Sequence, residues 1–298
     1  GNWSVSIADL GDLNAGNTKE DTYFALQHVV SLLIKKNIVP IIIGGSQDLT
    51  YALYRGYDDL EQMVNLVSID NKFDFGKEEV LNTSESFLSK IIINEPTNLF
   101  NYSNVGFQTY FNSQEEIDLI EKLYFDCFRL GEVSASPAIA EPVFRDCDLV
   151  SLDLTAVKSS DSGNFNIFTP NGFNGEESCT LMQYAGMSWK TSTIGLFGYQ
   201  AELDVNNMTA IQIAQMFWYI MDGVQKGKKE APLTESDRFK EFHIAFSDIE
   251  TNFLQSKSTG RWWMQMHNNE WAPCSYKDYL VASNNEIPER WLRALERE

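Results

Sequence analysis

The sequence has few histidines and only four cysteines, none of which forms a CxxC pair. Its three histidines, His28, His243 and His267, are far apart in the chain. Zinc sites need closely spaced His or Cys ligands, and disulfide frameworks need paired cysteines. The sequence therefore argues against a zinc knuckle, a disulfide-stapled fold and histidine-based chemistry. We expect reduced thiols and a cytoplasmic location.

Basic residues and long apolar runs are also scarce. The 23 Lys and Arg residues are outnumbered by 42 Asp and Glu, which gives a net charge of -19. Phosphate binding needs clustered Lys and Arg, so nucleic acid is not an expected partner. No run approaches the ~18–20 apolar residues of a membrane span, and the first residues do not have the pattern of a signal peptide, so we expect neither a membrane partner nor a leader. We expect a small-molecule ligand or further copies of the chain as partners, and no membrane.

Strand-like apolar runs alternate with segments of helical periodicity along most of the chain. Val64–Ile69 and Thr193–Phe197 are typical of buried strands, and Asp21–Lys36 and Glu176–Met187 are typical of helices. This alternation predicts an α/β fold with three α/β/α layers and a mainly parallel, doubly wound sheet. A further strand-like segment, Trp3–Ile7, stands almost at the start, so we expect the fold to lack an N-terminal element upstream of it.

The character of the sequence changes after Gly223. A polar stretch reaches about Asp237, and the region beyond it holds four of the seven tryptophans. We expect residues 1–298 to form one domain with a Trp-rich C-terminal extension, 237–298, packed on it, because about sixty residues make a marginal core alone. Trp262-Trp263-Met264 is expected to be an edge strand packed on the domain, with a ligand-stacking surface as the alternative.

Three acidic residues stand where two apolar strands end. Val64–Ile69 runs into Asp70 and, four residues later, Asp74; a second strand runs into Asp153. In open α/β sheets, sites lie outside the carboxyl ends of the strands, so these carboxylates are expected to converge. Such a cluster usually means a hard cation. However, Lys72 lies between the first two acids.

Three motifs occur in the order of the metal motifs of the ureohydrolases, the family of arginase, agmatinase and formimidoylglutamase. They are Gly44-Gly45-Ser46-Gln47-Asp48, Asp70-Asn71-Lys72-Phe73-Asp74 and Ser151-Leu152-Asp153-Leu154-Thr155. The chain also resembles the bacterial formimidoylglutamase-like branch at Pro170-Asn171-Gly172-Phe173 and Arg261-Trp262-Trp263-Met264. The resemblance implies an arginase-like fold with a dinuclear manganese centre that activates water to hydrolyse a linear amidine C–N bond.

Only half of the metal-ligand positions implied by this resemblance keep their ligands. The retained positions are Asp70, Asp74 and Asp153. Gln47 and Lys72 stand where the family has histidines, and Thr155 stands where it has an aspartate. The family's substrate-side glutamate falls near Gly198, with Glu202 as its replacement if the register shifts.

An ammonium group inside a dinuclear centre opposes metal binding. Unit charges about 4 Å apart interact by about 4 kcal/mol at an effective dielectric of ~20, and a divalent ion roughly doubles this. We therefore predict that Lys72 lies close to Asp74 or Asp153 as a counter-ion that replaces the metals. In the alternative arrangement, Lys72 points to solvent and leaves room for one metal.

Three functions remain open. The sequence favours a catalytically impaired ureohydrolase relative with a degenerate metal centre, no expected cofactor and a retained cleft for a small molecule or a partner. The alternative is an active hydrolase of a formimidoylglutamate, agmatine or arginine type of substrate, with manganese as its metal. The third is an unrelated α/β enzyme whose acids coincide with the motifs by chance.

Overall fold

The computed structural model describes residues 4–76, 83–163, 169–247 and 249–297. Its helices are α1 Lys19–Ile34, α2 Leu49–Arg55, α3 Phe87–Ile93, α4 Gln114–Lys122, α5 Leu130–Ala135, α6 Glu141–Arg145, α7 Ser159–Ser162, α8 Gly175–Met187, α9 Met208–Gly227, α10 Tyr276–Ser283 and α11 Glu289–Arg297. Its strands are β1 Ile41–Ile43, β2 Val64–Ile69, β3 Leu99–Phe107, β4 Asp126–Arg129, β5 Leu149–Asp153, β6 Thr193–Phe197, β7 Phe239–Phe246, β8 Ile249–Ser256, β9 Trp262–Gln265 and β10 Trp271–Cys274. None of the described helices is both long and apolar enough to cross a membrane.

The first six strands form one parallel sheet in the order β1-β6-β5-β2-β3-β4. The chain leaves β2 towards β3 on one side, and it returns at β5 on the other side of β2. The boundary between β2 and β5 is therefore the switch point of the sheet, where ligand sites of doubly wound folds lie. All six carboxyl ends meet at one edge because the strands are parallel.

Both faces of this sheet are covered by helices. Along β2, Leu66 packs into an apolar cluster with residues of α1 to α4, whereas Val67 packs into a second cluster with α5, α6, α8 and α9. Successive side chains of a strand point to opposite faces, so one apolar strand serves two helical layers. The predicted α/β class with three α/β/α layers is confirmed.

The strand predicted near the start of the chain is wrong for its described residues. Residues 4–7 pair with no strand and are mostly exposed. Ser4 instead contacts the C-terminal end of α9, where its hydroxyl lies 3.2 Å from Gln225 Oε1 and 3.0 Å from Lys228 Nζ. The segment alternates between apolar and polar residues, but a strand also needs the edge of a sheet with which to pair.

The C-terminal residues build a second, antiparallel sheet in the order β10-β9-β8-β7. The expectation that Trp262-Trp263-Met264 forms an edge strand is wrong, because β9 lies inside this sheet. Trp262 packs with Phe253 on one face, and Trp263 packs with Phe239 on the other. Both faces therefore carry apolar clusters, which explains the density of tryptophans.

Arginine side chains join this second sheet to the parallel domain. Arg145 of α6 is buried and donates hydrogen bonds to the carbonyl oxygens of Trp262 and Cys274, both at 2.7 Å. It also pairs with Glu141 at 2.8 Å. At the edge of the parallel sheet, Arg297 of α11 pairs with Asp126 of β4 at 3.0 Å. The contacts place α11 against an edge strand that would otherwise be open to pairing.

Candidate functional site

Two neighbouring strands deliver the acidic residues to the switch point. In the β2–β5 pair, Ile69 lies opposite Leu152, so Asp70 and Asp153 leave adjacent strands side by side. Asp70, Asp74 and Asp153 are 2%, 5% and 7% exposed. The structure thus brings Asp70, Asp74 and Asp153 together in one buried acidic cluster.

Amide side chains hold the loop between Asp70 and Asp74. Asn104, buried in β3, donates to the carbonyl oxygen of Lys72 at 2.7 Å. Asn112 Oδ1 accepts the Phe73 N–H at 2.8 Å, and Asn71 Nδ2 donates to the Thr155 carbonyl at 2.9 Å. Sequence reasoning missed these positioning residues. The available signal was an asparagine, Asn104, beside the apolar end of a strand, Val105 to Phe107, because an unpartnered amide is costly in a buried strand.

A layer of buried polar residues lies under the acidic cluster. Gln47 Nε2 lies 3.2 Å from Ser68 Oγ, and the hydroxyls of Thr50 and Ser151 lie 2.7 Å apart. The Gln47 side chain also hydrogen-bonds to Asp70, which lowers the pKa of that carboxyl slightly against the larger effect of burial. Gln47 therefore places an amide at the position of a family histidine, and the Nε2 group of this amide already donates a hydrogen bond.

The first motif ends at Asp48, directly before α2. It stands at the N-cap position, but its side chain makes no capping hydrogen bond. The carboxylate instead accepts hydrogen bonds from the hydroxyls of Tyr23 and Ser46. Asp48 thereby links the first motif to α1.

The remaining substituted positions surround Asp153. The N–H of Thr155 donates to Asp153 Oδ1 at 2.7 Å. Gly198 has a φ of +85°, and a Cβ built there would lie 3.2 Å from the same oxygen, so a larger residue is strained at this position. Glu202 lies on a separate short turn, 201–203, and is exposed.

Lys72 does not form the predicted ion pair with Asp74 or Asp153. Among the described carboxylates, the one within ion-pair distance of its Nζ is Glu85, at 2.5 Å. The two side chains are 37% and 68% exposed, so the pair lies at the rim of the acidic cluster. Burial opposes the ammonium charge, but the hydrogen bond and charge of Glu85 outweigh it and raise the pKa of Lys72. At the rim the ammonium keeps part of its hydration, which a buried position would remove.

The acidic cluster is therefore short of positive charge, and its carboxyl groups hold protons more tightly. Burial and the charge of Asp153 raise the pKa of Asp70 to about 7. Burial and the charge of Asp70 raise the pKa of Asp74 well above its usual range. Burial also raises the pKa of Asp153, although the hydrogen bonds from Thr155 oppose the shift. Adjacent carboxylates that cannot all ionise share protons.

Two oxygens of the acidic cluster lack a donor. In the described part of the chain, nothing donates to the buried Oδ2 atoms of Asp70 and Asp74. A proton or a cation at this point would satisfy them. Within the same residues, no group of three or more His, Cys, Asp or Glu side chains is arranged to hold a metal ion.

A doubly wound parallel sheet with buried carboxylates at its switch point defines an α/β protein of ureohydrolase architecture. The model of the Arginase family matches residues 2–223, and the chain therefore belongs to the arginase family. Family membership excludes the hypothesis that the acids coincide with the motifs by chance. Residues 224–298, with the antiparallel sheet, lie outside the matched range.

Solved structures of the same fold include formimidoylglutamases and arginases. A Mn2+-containing variant of Trypanosoma cruzi formiminoglutamase is 17% identical, with a TM-score of 0.67 over 74% of this chain and 76% of that one. Bacillus subtilis formimidoylglutamase is 17% identical, with a TM-score of 0.65 over 73% and 71%. Bacillus subtilis arginase is 16% identical, with a TM-score of 0.65 over 73% and 85%. No curated protein matches the chain. At these identities the likeness shows the fold.

Proposed function

We propose that this arginase-family protein is catalytically impaired, and that protons have replaced a dinuclear manganese centre in its acidic cluster. The edge of the sheet at which the carboxyl ends of the strands meet keeps a ligand-binding role. The observation that carries the proposal is the state of the acidic cluster. In the described part of the chain, three buried carboxyl groups lie together without an imidazole, and the nearby ammonium is paired elsewhere.

The donor set fits two Mn2+ ions poorly. The manganese centre that the family resemblance implies combines carboxylates with two histidines, and two divalent ions need enough deprotonated ligands to offset their charge. Here an amide and an ammonium replace the two histidines, and Gln47 Nε2 is directed at Ser68. Carboxyl groups with raised pKa values must also release protons before they bind a metal. We therefore derive no reaction step through a metal pair.

One observation favours the alternative, an active hydrolase of a linear amidine C–N bond with an altered centre. Lys72 points its ammonium at Glu85, and the Oδ2 atoms of Asp70 and Asp74 have no donor in the described residues. This arrangement leaves two anionic oxygens for a single cation. Asp70 and Asp74 would then hold the metal, which would supply an activated water when bound.

Metal analysis separates the two functions. We expect the purified protein to contain less than about one tenth of an equivalent of manganese, and to bind added Mn2+ no more tightly in calorimetry than an Asp70→Asn variant does. Formimidoylglutamate, agmatine and arginine should be hydrolysed no faster than in buffer. Tight binding of one or two Mn2+ with turnover of any of these substrates would establish the alternative.

A restored variant provides the positive control. Gln47→His, Lys72→His and Thr155→Asp together return the family's ligand types to the substituted positions, so this variant should gain Mn2+ binding. If it binds no Mn2+ although it is folded, the substituted side chains are not the reason for the missing metal, and the argument from the donor set is wrong.

We infer a cytoplasmic protein with no resident cofactor, whose partners are small molecules or further copies of the chain. The surplus of acidic residues supports the exclusion of nucleic acid as a partner. Gel filtration with light scattering would measure the oligomeric state.

A further inference from the structure

A cleft of about 480 Å³ opens at the carboxyl ends of β3 and β4, on the same edge of the sheet as the acidic cluster. One wall is the segment 108–110 after β3, a second is 129–131 after β4, and the third is Lys158 with 170–172. Its first two walls follow β3 and β4, which lie one and two strands from β2 at about 4.8 Å per strand. Asp70, Asp74 and Asp153 do not line the cleft, so a ligand in it would lie beside the acidic cluster and not within it.

The walls of this cleft are tied together. Gln108 is buried and donates through Nε2 to the Asn171 carbonyl at 3.2 Å. The N–H of Lys158 donates to the Phe173 carbonyl at 3.0 Å, and the N–H of Phe173 donates to the Ala156 carbonyl at 2.8 Å. A cleft with such fixed walls is preformed and loses little entropy when a ligand binds.

The charge of the cleft is opposite to that of the whole protein. Two of the lining residues, Arg129 and Lys158, are cationic, and no lining residue among those described is acidic, although the chain carries a net charge of -19. Among the described residues, the ion pair that these cations form joins Lys158 to Asp161 at a long 3.7 Å. The Arg129 guanidinium is exposed and lies 5.8 Å from the centre of the Phe107 ring.

We propose that this cleft binds the anionic group, a carboxylate or a phosphate, of a small molecule with a flat apolar body. A guanidinium matches both oxyanions in a bidentate way, and Lys158 adds a second positive charge. Tyr110 and Pro170 line the same cleft and provide apolar surface for the body of the ligand. The proposal specifies the retained ligand-binding role of the proposed function, and it does not depend on the loss of the metal.

Four aromatic probes of similar shape test the chemistry. Benzoate and phenyl phosphate carry the anion, benzamide is neutral and benzamidine is cationic. By NMR titration at low salt, in EDTA, we expect at least one anion to bind with a millimolar or lower Kd, and benzamide and benzamidine to bind at least tenfold more weakly. The anion with the lower Kd shows whether the cleft prefers a carboxylate or a phosphate. Equal binding of benzamide, or no binding of either anion at about 10 mM, would overturn the proposal.

Variants test the location. Arg129→Gln removes the exposed guanidinium and should raise the Kd at least tenfold. Gly131→Leu should block binding sterically, because a Cβ at Gly131 meets nothing within 4 Å and the fold can therefore accept the side chain. Lys190→Gln is the control, since Lys190 is an exposed cation paired with Asp146 at 2.6 Å and does not line the cleft. Native-like binding by either cleft variant, with a native melting curve, would refute the site.

Repeating the titration by calorimetry, in EDTA and then with saturating Mn2+, separates this proposal from the proposed function. Unchanged anion affinity supports a site that is independent of the metal, whether or not the protein also takes up Mn2+. An anion that binds only with Mn2+ present would instead place the probe on a metal, and it would overturn the assignment to Arg129 and Lys158.

Discussion

Replacement of Asp70 by asparagine should stabilise the metal-free protein at alkaline pH. Asp70 is buried, and its pKa is raised from 3.8 to about 7. A group whose folded-state pKa is raised contributes stability that is fully present below its unfolded pKa and is lost as the pH rises through the folded value. Between about pH 4 and pH 7, Asp70 ionises in the unfolded chain but is still protonated in the folded protein. The free energy of unfolding of the native protein should therefore fall over this range.

The size of the effect follows from the shift. At about 1.4 kcal/mol per pKa unit, a change from 3.8 to about 7 corresponds to about 4 kcal/mol. An asparagine keeps an oxygen for the Lys72 N–H, which donates to Asp70 Oδ1 at 2.9 Å. We therefore expect Asp70→Asn to be more stable than the native protein by about 2–4 kcal/mol at pH 8, and by much less at pH 4.

Urea unfolding followed by tryptophan fluorescence, in EDTA at pH 4, 6 and 8, measures this difference. Asp126→Asn is the matched control, because Asp126 is also buried but is paired with Arg297 at 3.0 Å. The control should lose stability at pH 8. If Asp70→Asn is no more stable than the native protein at pH 8, Asp70 is held ionised by a counter-charge, and the account of a protonated acidic cluster is wrong.

Three further predictions concern the rim of the acidic cluster and the C-terminal extension. Lys72→Met should cost at most about 1 kcal/mol in urea unfolding, since exposed ion pairs contribute little, and a loss of about 3 kcal/mol or more would restore its role as a buried counter-ion. Arg145→Met should lower the free energy of unfolding by about 2–4 kcal/mol, because the carbonyl oxygens of Trp262 and Cys274 lose their charged donor. Glu141 keeps its ion pair with Arg261 at 2.9 Å, and an unchanged melting temperature would contradict the prediction. Removal of residues 237–298 should give an insoluble or strongly destabilised protein, as expected for a single domain with a packed extension, whereas a soluble fragment with native melting would show that the extension is independent.

The parallel domain could be predicted from the sequence because its strands are apolar on both faces. The predicted bounds of β2 and β6, Val64–Ile69 and Thr193–Phe197, agree with the structure. Short and half-exposed elements were harder to predict. β4 was missed because its four residues, Asp126–Arg129, carry no apolar periodicity and are completed by pairing with β3. The antiparallel sheet was missed although its strands follow one another in the chain, because β7 and β8 do not alternate strictly between apolar and polar residues.

The sequence by itself determined the family, the parallel sheet and the edge at which Asp70 and Asp153 meet. Apolar patterning gives the positions of the strands, and right-handed crossovers bring the carboxyl ends of parallel strands to one edge. Only the tertiary structure decided how the charges are arranged there. Whether Lys72 faces the acids or Glu85, and whether Asp48 caps α2 or binds Tyr23, depends on distances between segments remote in the chain. Side-chain direction and desolvation are set by packing, and packing is not encoded in the local order of residues.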